Sequence, residues 1–264
     1  MSDARTVELQ LLQGFVLSVG RRPVCLISSA QRVLAFLALQ ERQVARGQIA
    51  ALLWPEATAS RAHASLRSAI WRAQRECDRL IHVNSDTLAL SREVMVDVRV
   101  AASQAHRILA GGPVDRRVST RLHLSVDLLP DWYDDWVVVE REQYHQLRLH
   151  ALEALCERLT SAGRIGEAVD VGLDAIRAEP LRESAHRVLI EAHLAGGNRW
   201  EALRQFQRCK ALLAEELGLE PSAALVRLVR QTGARVALHS SFSAARQDSR
   251  KARTASAAVS TSLK

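Results

Sequence analysis

The chain has 264 residues, of which 48% are apolar and 25% charged, enough for one large or two small domains with an ordinary core. The net charge is +7, and no apolar run is long enough for a signal peptide or a membrane span, so we expect no membrane contact. Arg and Lys outnumber Asp and Glu by 12 to 8 in residues 1–96 and by 5 to 1 in residues 237–264, against 19 to 20 in residues 97–236. A polyanion is therefore expected to bind near an end of the chain.

The first 28 residues predict a small antiparallel sheet. Three short β-type runs, at 7–12, 15–19 and 23–27, are separated by turns that contain Gly14 and Gly20. The hydrophobic period then lengthens from two residues to between three and four, which indicates helices.

Three helices are predicted next, at 29–41, 46–54 and 60–77, with Ser29 and Ser60 as N-caps. The second helix is expected to bury three apolar side chains, those of Ile49, Leu52 and Leu53.

A hairpin over residues 80–91, turning at 84–86, follows the third helix. Strands, three helices and a hairpin, in that order, predict a winged helix-turn-helix domain over residues 1–96, preceded by an extra sheet. Domains of this class place one helix in a groove of DNA.

From Asp97 the pattern is mainly helical, and it repeats with an offset of 34 residues. Leu155, Gly163, Glu167 and Ala168 recur in type as Leu189, Gly197, Glu201 and Ala202. This period is typical of tetratricopeptide repeats, so residues 97–236 are predicted to form an all-α, tetratricopeptide-like domain. Residues 237–264, which have few large apolar side chains, are predicted to be a disordered basic tail.

The helix at 60–77 carries the main candidate site. On a helical wheel its apolar stripe contains no arginine and consists of Ala62, Leu66, Ala69, Ile70, Ala73 and Cys77. A solvated face usually mixes both charge signs, because opposite charges one turn apart stabilise a helix. The outer face here is purely basic, which predicts a DNA-binding surface made of Arg61, Arg67, Ser68, Trp71, Arg72 and Arg75.

Three further arginines are candidates for phosphate contacts. Arg21 and Arg22 lie in a turn between strands, and Arg92 lies at the end of the predicted hairpin, although arginine is also common in surface turns. For Trp71, contact with DNA and packing against the hairpin or the second domain are equally open.

No motif indicates catalysis. The chain lacks a P-loop and the GxSxG, HExxH and GxGxxG patterns. The aspartates of DWYDDW at 131–136 have aromatic neighbours and no nearby histidine, which favours a structural loop over a metal site. We expect no enzyme activity and no cofactor, and a reduced, cytoplasmic protein in which four separate cysteines are small core residues. These are Cys25, Cys77, Cys156 and Cys209.

Several segments together resemble the SARP family of bacterial transcriptional activators. They are LLQGFVLSVGRRPVCL, AQRVLAFLAL, IAALLWPEATASRAHASLRSAIWRAQR and LLPDWYDDWVVVEREQYHQLRLHALEAL. The stretch from GRIGEAVDVG to LEPSAAL resembles the bacterial transcriptional activation domain of the same family. The resemblance covers most of the chain before the basic tail.

The resemblance implies a mainly α fold with a small β part, namely a winged helix-turn-helix of the OmpR/PhoB type followed by tetratricopeptide-like helices. It implies a sequence-specific activator that binds direct repeats near a promoter −35 region, as a possible homodimer on tandem repeats. Such proteins recruit RNA polymerase holoenzyme and often control secondary-metabolite (antibiotic) gene clusters. The loop in relatives of this fold that touches polymerase corresponds here to Glu56, Ala57 and Thr58.

Two features depart from the family pattern. The hairpin has Asp86-Thr87-Leu88-Ala89-Leu90 where family members typically have a Gly-Tyr pair, and the missing P-loop matches the small form without an ATPase domain. Two other functions stay open: an adaptor that binds a peptide in the groove of the repeats, and a repressor that uses the same DNA-binding domain.

Overall fold

The computed structural model describes residues 6–20, 22–78, 80–112, 124 and 126–231. Its contacts divide the chain into two compact units, residues 1–198 and 199–264. The domain boundary predicted at 96/97 stays a prediction, and the predicted basic tail lies outside the described residues.

The first unit contains strands at the N-terminus and helices throughout. The strands are β1 Val7–Gln10, β2 Val16–Val19, β3 Arg22–Val24, β4 Val44–Ala45, β5 Ile81–Val83, β6 Thr87–Leu90 and β7 Val94–Val96. The helices are α1 Ser28–Leu39, α2 Arg46–Leu53, α3 Ala59–Glu76, α4 Asp97–Leu109, α5 Asp135–Ser161, α6 Ile165–Ala178 and α7 Glu183–Ala195. The second unit contains α8 Arg199–Leu217 and α9 Ala223–Gln231.

The N-terminal sheet has four strands, in the order β3-β2-β1-β7. Its first three strands form the predicted antiparallel meander, in which Leu17 pairs with both Leu9 and Val24. The fourth strand, β7, lies parallel to β1 and places Val96 beside Leu9. Nothing in the sequence predicts β7 as part of this sheet, because a three-residue run is too short to show a β period.

The three helices of the winged helix-turn-helix are present, but their starts differ from the predicted caps. α1 begins at Ser28 and α3 at Ala59, so Ser29 and Ser60 lie inside the first turns and the N-cap prediction for both is wrong. The residues at the actual N-cap positions make no side-chain capping hydrogen bond. The starts of these helices therefore follow the packing of their apolar faces.

Helix α2 begins at its predicted first residue and ends at Leu53, one residue before the predicted end, and one of its side chains differs from the prediction. Ile49 and Leu53 are buried, as expected, but Leu52 is 41% exposed, which corrects the prediction that all three are core residues. Leu52 precedes Leu53 by one residue, which is about 100° around the helix, so it lies at the edge of the buried face.

A carboxylate and a guanidinium join the sheet and α1 to the helices that follow. Asp97, the first residue of α4, accepts hydrogen bonds from the backbone N–H groups of Leu11 and Leu12 at 2.9 and 3.0 Å. Arg99 donates to three carbonyl groups at the end of α1, those of Leu37, Ala38 and Gln40. Carbonyls at a helix end have no partner inside the helix, so Arg99 both satisfies them and holds α4 against α1.

Arg141 holds the loop that precedes α5 in a similar way. Its guanidinium donates to three backbone carbonyls, those of Leu128, Leu129 and Trp132. Leu129 has a φ of 41°, which is unusual for a side chain with a Cβ. The hydrogen bonds to Arg141 and the bond from the Leu129 N–H to the Leu11 carbonyl, at 2.9 Å, keep this strained turn in place.

The structural loop predicted at DWYDDW covers residues 131–134, and Asp135 and Trp136 are the first residues of α5. Trp132 stacks on Phe15 with ring centroids 6.1 Å apart, and Trp136 meets Phe36 edge-on at 5.5 Å. Asp134 forms an ion pair with Arg32 of α1. These contacts link the start of α5 to the core of the winged helix-turn-helix.

The 34-residue repeat is visible in the turns that end α5 and α7. Gly163 has a φ of 71° and Gly197 a φ of 76°, which is a conformation that favours glycine. The N–H of the following residue, Arg164 or Asn198, bonds to the carbonyl five residues back, at 2.9 and 2.8 Å respectively. Both helices therefore end in the same Schellman arrangement.

Close packing between α6 and its neighbours depends on Gly172. A Cβ at this position would lie 3.1 Å from the Cβ of Leu189 on α7 and 3.4 Å from the sulfur of Cys156 on α5. A larger residue would force the helices apart.

In the second unit, α8 and α9 are joined by a short loop. Lys210 pairs with Glu220 at 3.0 Å, and the Leu219 N–H bonds to the carbonyl of Leu213 at 3.1 Å. Within the described parts of both units, no helix combines the length and apolar character needed to cross a membrane.

The cysteines divide by burial. Cys156 and Cys209 are buried, and Cys77 is half-buried, but Cys25 is exposed, which corrects its predicted place in the core. Cys25 follows the edge strand β3, where side chains have few neighbours. Burial raises the pKa of the Cys156 thiol to about 12.

Replacing Arg141 by alanine is expected to lower the free energy of unfolding by about 2–4 kcal/mol, because three carbonyls of a strained turn lose their donor. Urea unfolding followed by circular dichroism measures the change. Arg208→Ala is the matched control, since Arg208 is exposed on α8 and its guanidinium has no hydrogen bond or ion pair within the described residues. Equal stability of the two variants would contradict the role given to Arg141.

Thiol reagents should modify Cys25 quickly and leave Cys156 unmodified in the folded protein. The thiolate is the reactive form, and burial at Cys156 suppresses both its formation and its access to the reagent. Labelling with a disulfide reagent, followed by peptide mass spectrometry, measures the order in which the two cysteines are modified. In urea the two thiols should react alike, and early labelling of Cys156 without urea would contradict the packing described.

Candidate nucleic-acid interface

Helix α3 buries one face and exposes the other, as the helical wheel predicts. The buried residues are Ala62, Leu66, Ala69, Ile70 and Ala73. Cys77, also expected in the core stripe, is half-buried because the helix ends one residue before it. The exposed side chains include all the predicted DNA-binding candidates of this helix, namely Arg61, Arg67, Ser68, Trp71, Arg72 and Arg75.

The arginines of α3 differ from those of the later helices in their partners. On α3, whose residues are all described, no guanidinium forms an ion pair or a hydrogen bond. Most guanidinium groups between α4 and α7 do have such partners, including those of Arg99, Arg141, Arg158, Arg177 and Arg187. Exposed guanidinium groups that the protein does not engage keep all their donors available to an anion.

Trp71 is 58% exposed, so its ring is not packed into a core. The guanidinium carbon of Arg75, one turn later, lies 5.5 Å from the centroid of the indole ring. This distance is within the range of a cation–π interaction. Contact of Trp71 with DNA stays a prediction.

The hairpin of β5 and β6 is anchored to its surroundings by two glutamines. The Gln43 side-chain oxygen accepts hydrogen bonds from the Asn84 amide and the Thr87 hydroxyl, both at 2.9 Å. The Gln74 amide of α3 donates to the Ile81 carbonyl at 3.2 Å. The predicted hairpin turn at 84–86 is confirmed, and its position relative to α3 is fixed.

Two of the other arginine candidates, Arg22 and Arg92, lie near opposite edges of the N-terminal sheet. Arg22 is exposed at the start of β3, one edge of that sheet, and Arg92 is exposed in the turn that leads to β7, the opposite edge. Arg21 lies outside the described residues. Arg22 and Arg92 are therefore not brought together into one cluster.

The predicted polymerase-contact residues form the loop between α2 and α3. Glu56 and Thr58 are exposed, whereas Ala57 is half-buried and packs against the core. The Ala57 N–H bonds to the Trp54 carbonyl at 3.1 Å, which shapes the loop as a tight turn. A shallow cavity of about 400 Å³ lies beside it, between the loop and Arg32.

Two basic residues that the sequence analysis does not select lie beside the hairpin. Arg42 and Arg46 flank β4, which pairs with the hairpin strand β6, and the Arg46 N–H bonds to the Asp86 carbonyl at 2.9 Å. Both side chains reach the surface, Arg42 fully and Arg46 in part. The sequence indicates these two arginines only by their positions on either side of Val44-Ala45. A strand of two residues is too short to show a β period.

A groove of about 980 Å³ lies between α1, α4 and α5 and has charges of both signs, including Arg99, Arg107 and Glu140. Burial raises the pKa of Glu140 and lowers that of Arg99. Among the described residues, no buried polar atom that lacks a hydrogen-bond partner lines this groove, and no cluster suits a metal ion. The groove therefore supplies no second candidate site.

Residues 124–232 match the family model of the bacterial transcriptional activator domain. The chain is also similar to the regulatory protein AfsR of Streptomyces coelicolor, with 26% identity over 209 residues, and to AfsR of Streptomyces griseus, with 27% identity over 217 residues. These matches cover 74% and 76% of this chain, but only 21% and 22% of the AfsR proteins. Together with the sequence resemblance, these matches support a SARP-family transcriptional regulator.

A solved structure supports the fold of this chain. EmbR of Mycobacterium tuberculosis, in complex with a low-affinity phosphopeptide, matches with a TM-score of 0.62 and 21% identity, over 86% of this chain and 65% of EmbR. EmbR has a winged-helix and a helical domain. The likeness agrees with the mainly α fold and small N-terminal β part predicted from the sequence.

Replacing Arg61, Arg67, Arg72 and Arg75 together by alanine should lower the free energy of unfolding by no more than about 1 kcal/mol, because these exposed side chains have no ion pair or hydrogen bond to lose and only Arg75 loses a cation–π contact. Leu66→Ala, on the buried face of the same helix, is expected to cost about 2–5 kcal/mol. Urea unfolding of both variants checks this. A similar loss of stability in both would show that the arginines support the fold.

Proposed function

We propose that this SARP-family regulator is a sequence-specific DNA-binding transcriptional activator, and that α3 is its recognition helix. The observation that supports this most directly is the outer face of α3, where four exposed arginines have no ion pair or hydrogen bond among the described residues. The buried face of the same helix holds it in a winged helix-turn-helix, a class in which the second helix of the motif enters the major groove.

The arginines of this face would act in two ways. A guanidinium that reaches a base edge forms two hydrogen bonds with the O6 and N7 of guanine, which discriminates between bases. A guanidinium that reaches the backbone neutralises phosphate and supplies affinity that falls with salt. Ser68, between Arg67 and Trp71, is small and permits a close approach of the helix to the groove.

Contacts outside α3 would add affinity. We assign phosphate contacts to Arg21, Arg22 and Arg92, as predicted from the sequence, and add Arg42 and Arg46 beside the hairpin. An arginine near the hairpin can reach the DNA backbone while α3 occupies the groove.

Activation would require RNA polymerase holoenzyme as a second partner. The exposed residues Glu56 and Thr58, with Ala57 between them, form a turn just before the recognition helix and are our candidates for that contact.

We propose direct repeats near the −35 region as the binding site, bound by two copies of the chain in tandem. The regulated genes would be a secondary-metabolite (antibiotic) gene cluster, and the protein would act in the cytoplasm. A tandem arrangement predicts half-sites in the same orientation, whereas a two-fold dimer predicts a palindrome.

Genome-wide footprinting of the full chain tests the function as a whole. Enriched sites with a shared sequence would support DNA recognition, and their spacing would report the assembly. A chain that enriches no sequence but captures partners without DNA would be an adaptor. Sites at which deletion of the gene raises transcription would identify a repressor.

Arg75→Ala is expected to weaken binding to a footprinted site by about 1–3 kcal/mol, roughly 5- to 150-fold, if Arg75 reads a guanine. Gel-shift titration at physiological salt measures the change, with Arg208→Ala as the control. Loss of a phosphate contact also changes the salt dependence of binding. Alanine variants of Arg61, Arg67 or Arg72 that lose only such a contact should reduce the slope of log K against log salt concentration by about one. Unchanged affinity for Arg75→Ala would remove Arg75 from the interface.

A further inference from the structure

Arg75 is the one arginine of α3 whose guanidinium is held by another side chain. Its guanidinium carbon lies 5.5 Å from the centroid of the Trp71 ring, and the two residues are one helical turn apart. The other arginines of this fully described helix have no such contact. The outer face therefore contains one guanidinium oriented by an aromatic ring and three without a ring contact, an ion pair or a hydrogen bond among the described residues.

An oriented guanidinium has an advantage in base recognition. A free arginine side chain samples many rotamers, and binding has to restrict them at a cost in entropy. An aromatic ring that attracts the cation restricts it beforehand, while the N–H groups in the guanidinium plane stay available for two parallel hydrogen bonds. Such preorganisation strengthens a geometrically demanding contact more than a simple phosphate contact.

We propose that Trp71 is a positioning residue that holds Arg75 for bidentate recognition of a guanine in the major groove. The inference rests on the proposed function, since it assumes that α3 enters DNA. In this proposal the two residues act together: Arg75 supplies the preference for guanine, and the Trp71 ring sets the direction of the Arg75 guanidinium. The other three arginines are then left mainly to phosphate contacts.

The exposure of Trp71 distinguishes this role from core packing. Its ring is 58% exposed, whereas that of Trp136, which packs between aromatic neighbours in the core, is 8% exposed. Ser68, one turn earlier on the same face, is too small to cover the indole. Loss of the ring is therefore expected to affect Arg75 more than the fold.

Selection from a random duplex library, with the full chain and its variants, tests the proposal. Trp71→Leu keeps an apolar side chain but removes the aromatic face, and Trp71→Phe keeps a face. We expect Trp71→Leu to weaken binding by about 2- to 5-fold, the size of an exposed cation–π interaction, and to lose the same guanine preference that Arg75→Ala loses. Trp71→Phe should retain that preference, and neither variant should change the salt dependence.

A double-variant cycle decides whether the residues act as one unit. Trp71→Leu combined with Arg75→Ala should bind no more weakly than Arg75→Ala alone. Trp200→Ala, which removes a 72% exposed tryptophan from α8, is the control and should bind as the unchanged protein does. Additive losses in the double variant, or a guanine preference that survives Trp71→Leu, would overturn the positioning role while leaving DNA binding intact. If the unchanged protein selects no sequence, the proposed function itself fails.

Discussion

The arrangement of the first unit depends on the hydrogen bonds that Asp97 and Arg99 make at the start of α4, which we call the α4 joint. Asp97 binds the N–H groups that follow β1, and the strand before it, β7, lies parallel to β1, so the sheet and α4 are tied at one point. Two residues later, Arg99 satisfies the carbonyls at the end of α1. Because α1 packs against α3, the α4 joint also determines where the basic face of α3 lies relative to the helices that follow.

Arginine serves two purposes in this chain, and the difference lies in its partners. Arg99, Arg141 and Arg158 each donate to backbone carbonyls at a helix end or in a strained turn, where a planar group with several donors can satisfy more than one acceptor. On α3 the same side chain is exposed and makes no such bond. Composition does not separate these uses, which is why an excess of arginine over lysine is weak support for DNA binding.

The sequence comparisons and the geometry of α3 support the proposed regulator function through different parts of the chain. The activator-domain match covers residues 124–232 and says nothing about the helix that would read DNA. The face of α3, its anchored hairpin and the turn before it supply the parts that a promoter-binding protein needs. The Arg75–Trp71 pair adds a reason why one arginine of that face would read a base while its neighbours bind phosphate.

Local periodicity alone predicted the first three helices, the meander, the hairpin and the two faces of α3, because an apolar stripe depends on residues only three or four positions apart. The 34-residue repeat was also visible in the sequence, since each glycine turn is local. Only the tertiary structure decided that Ser29 and Ser60 do not cap their helices, that β7 pairs with β1, and that the arginines of α3 form no ion pair with the described residues. These outcomes depend on contacts between residues as many as 86 positions apart, such as Leu11 and Asp97, which no local pattern encodes.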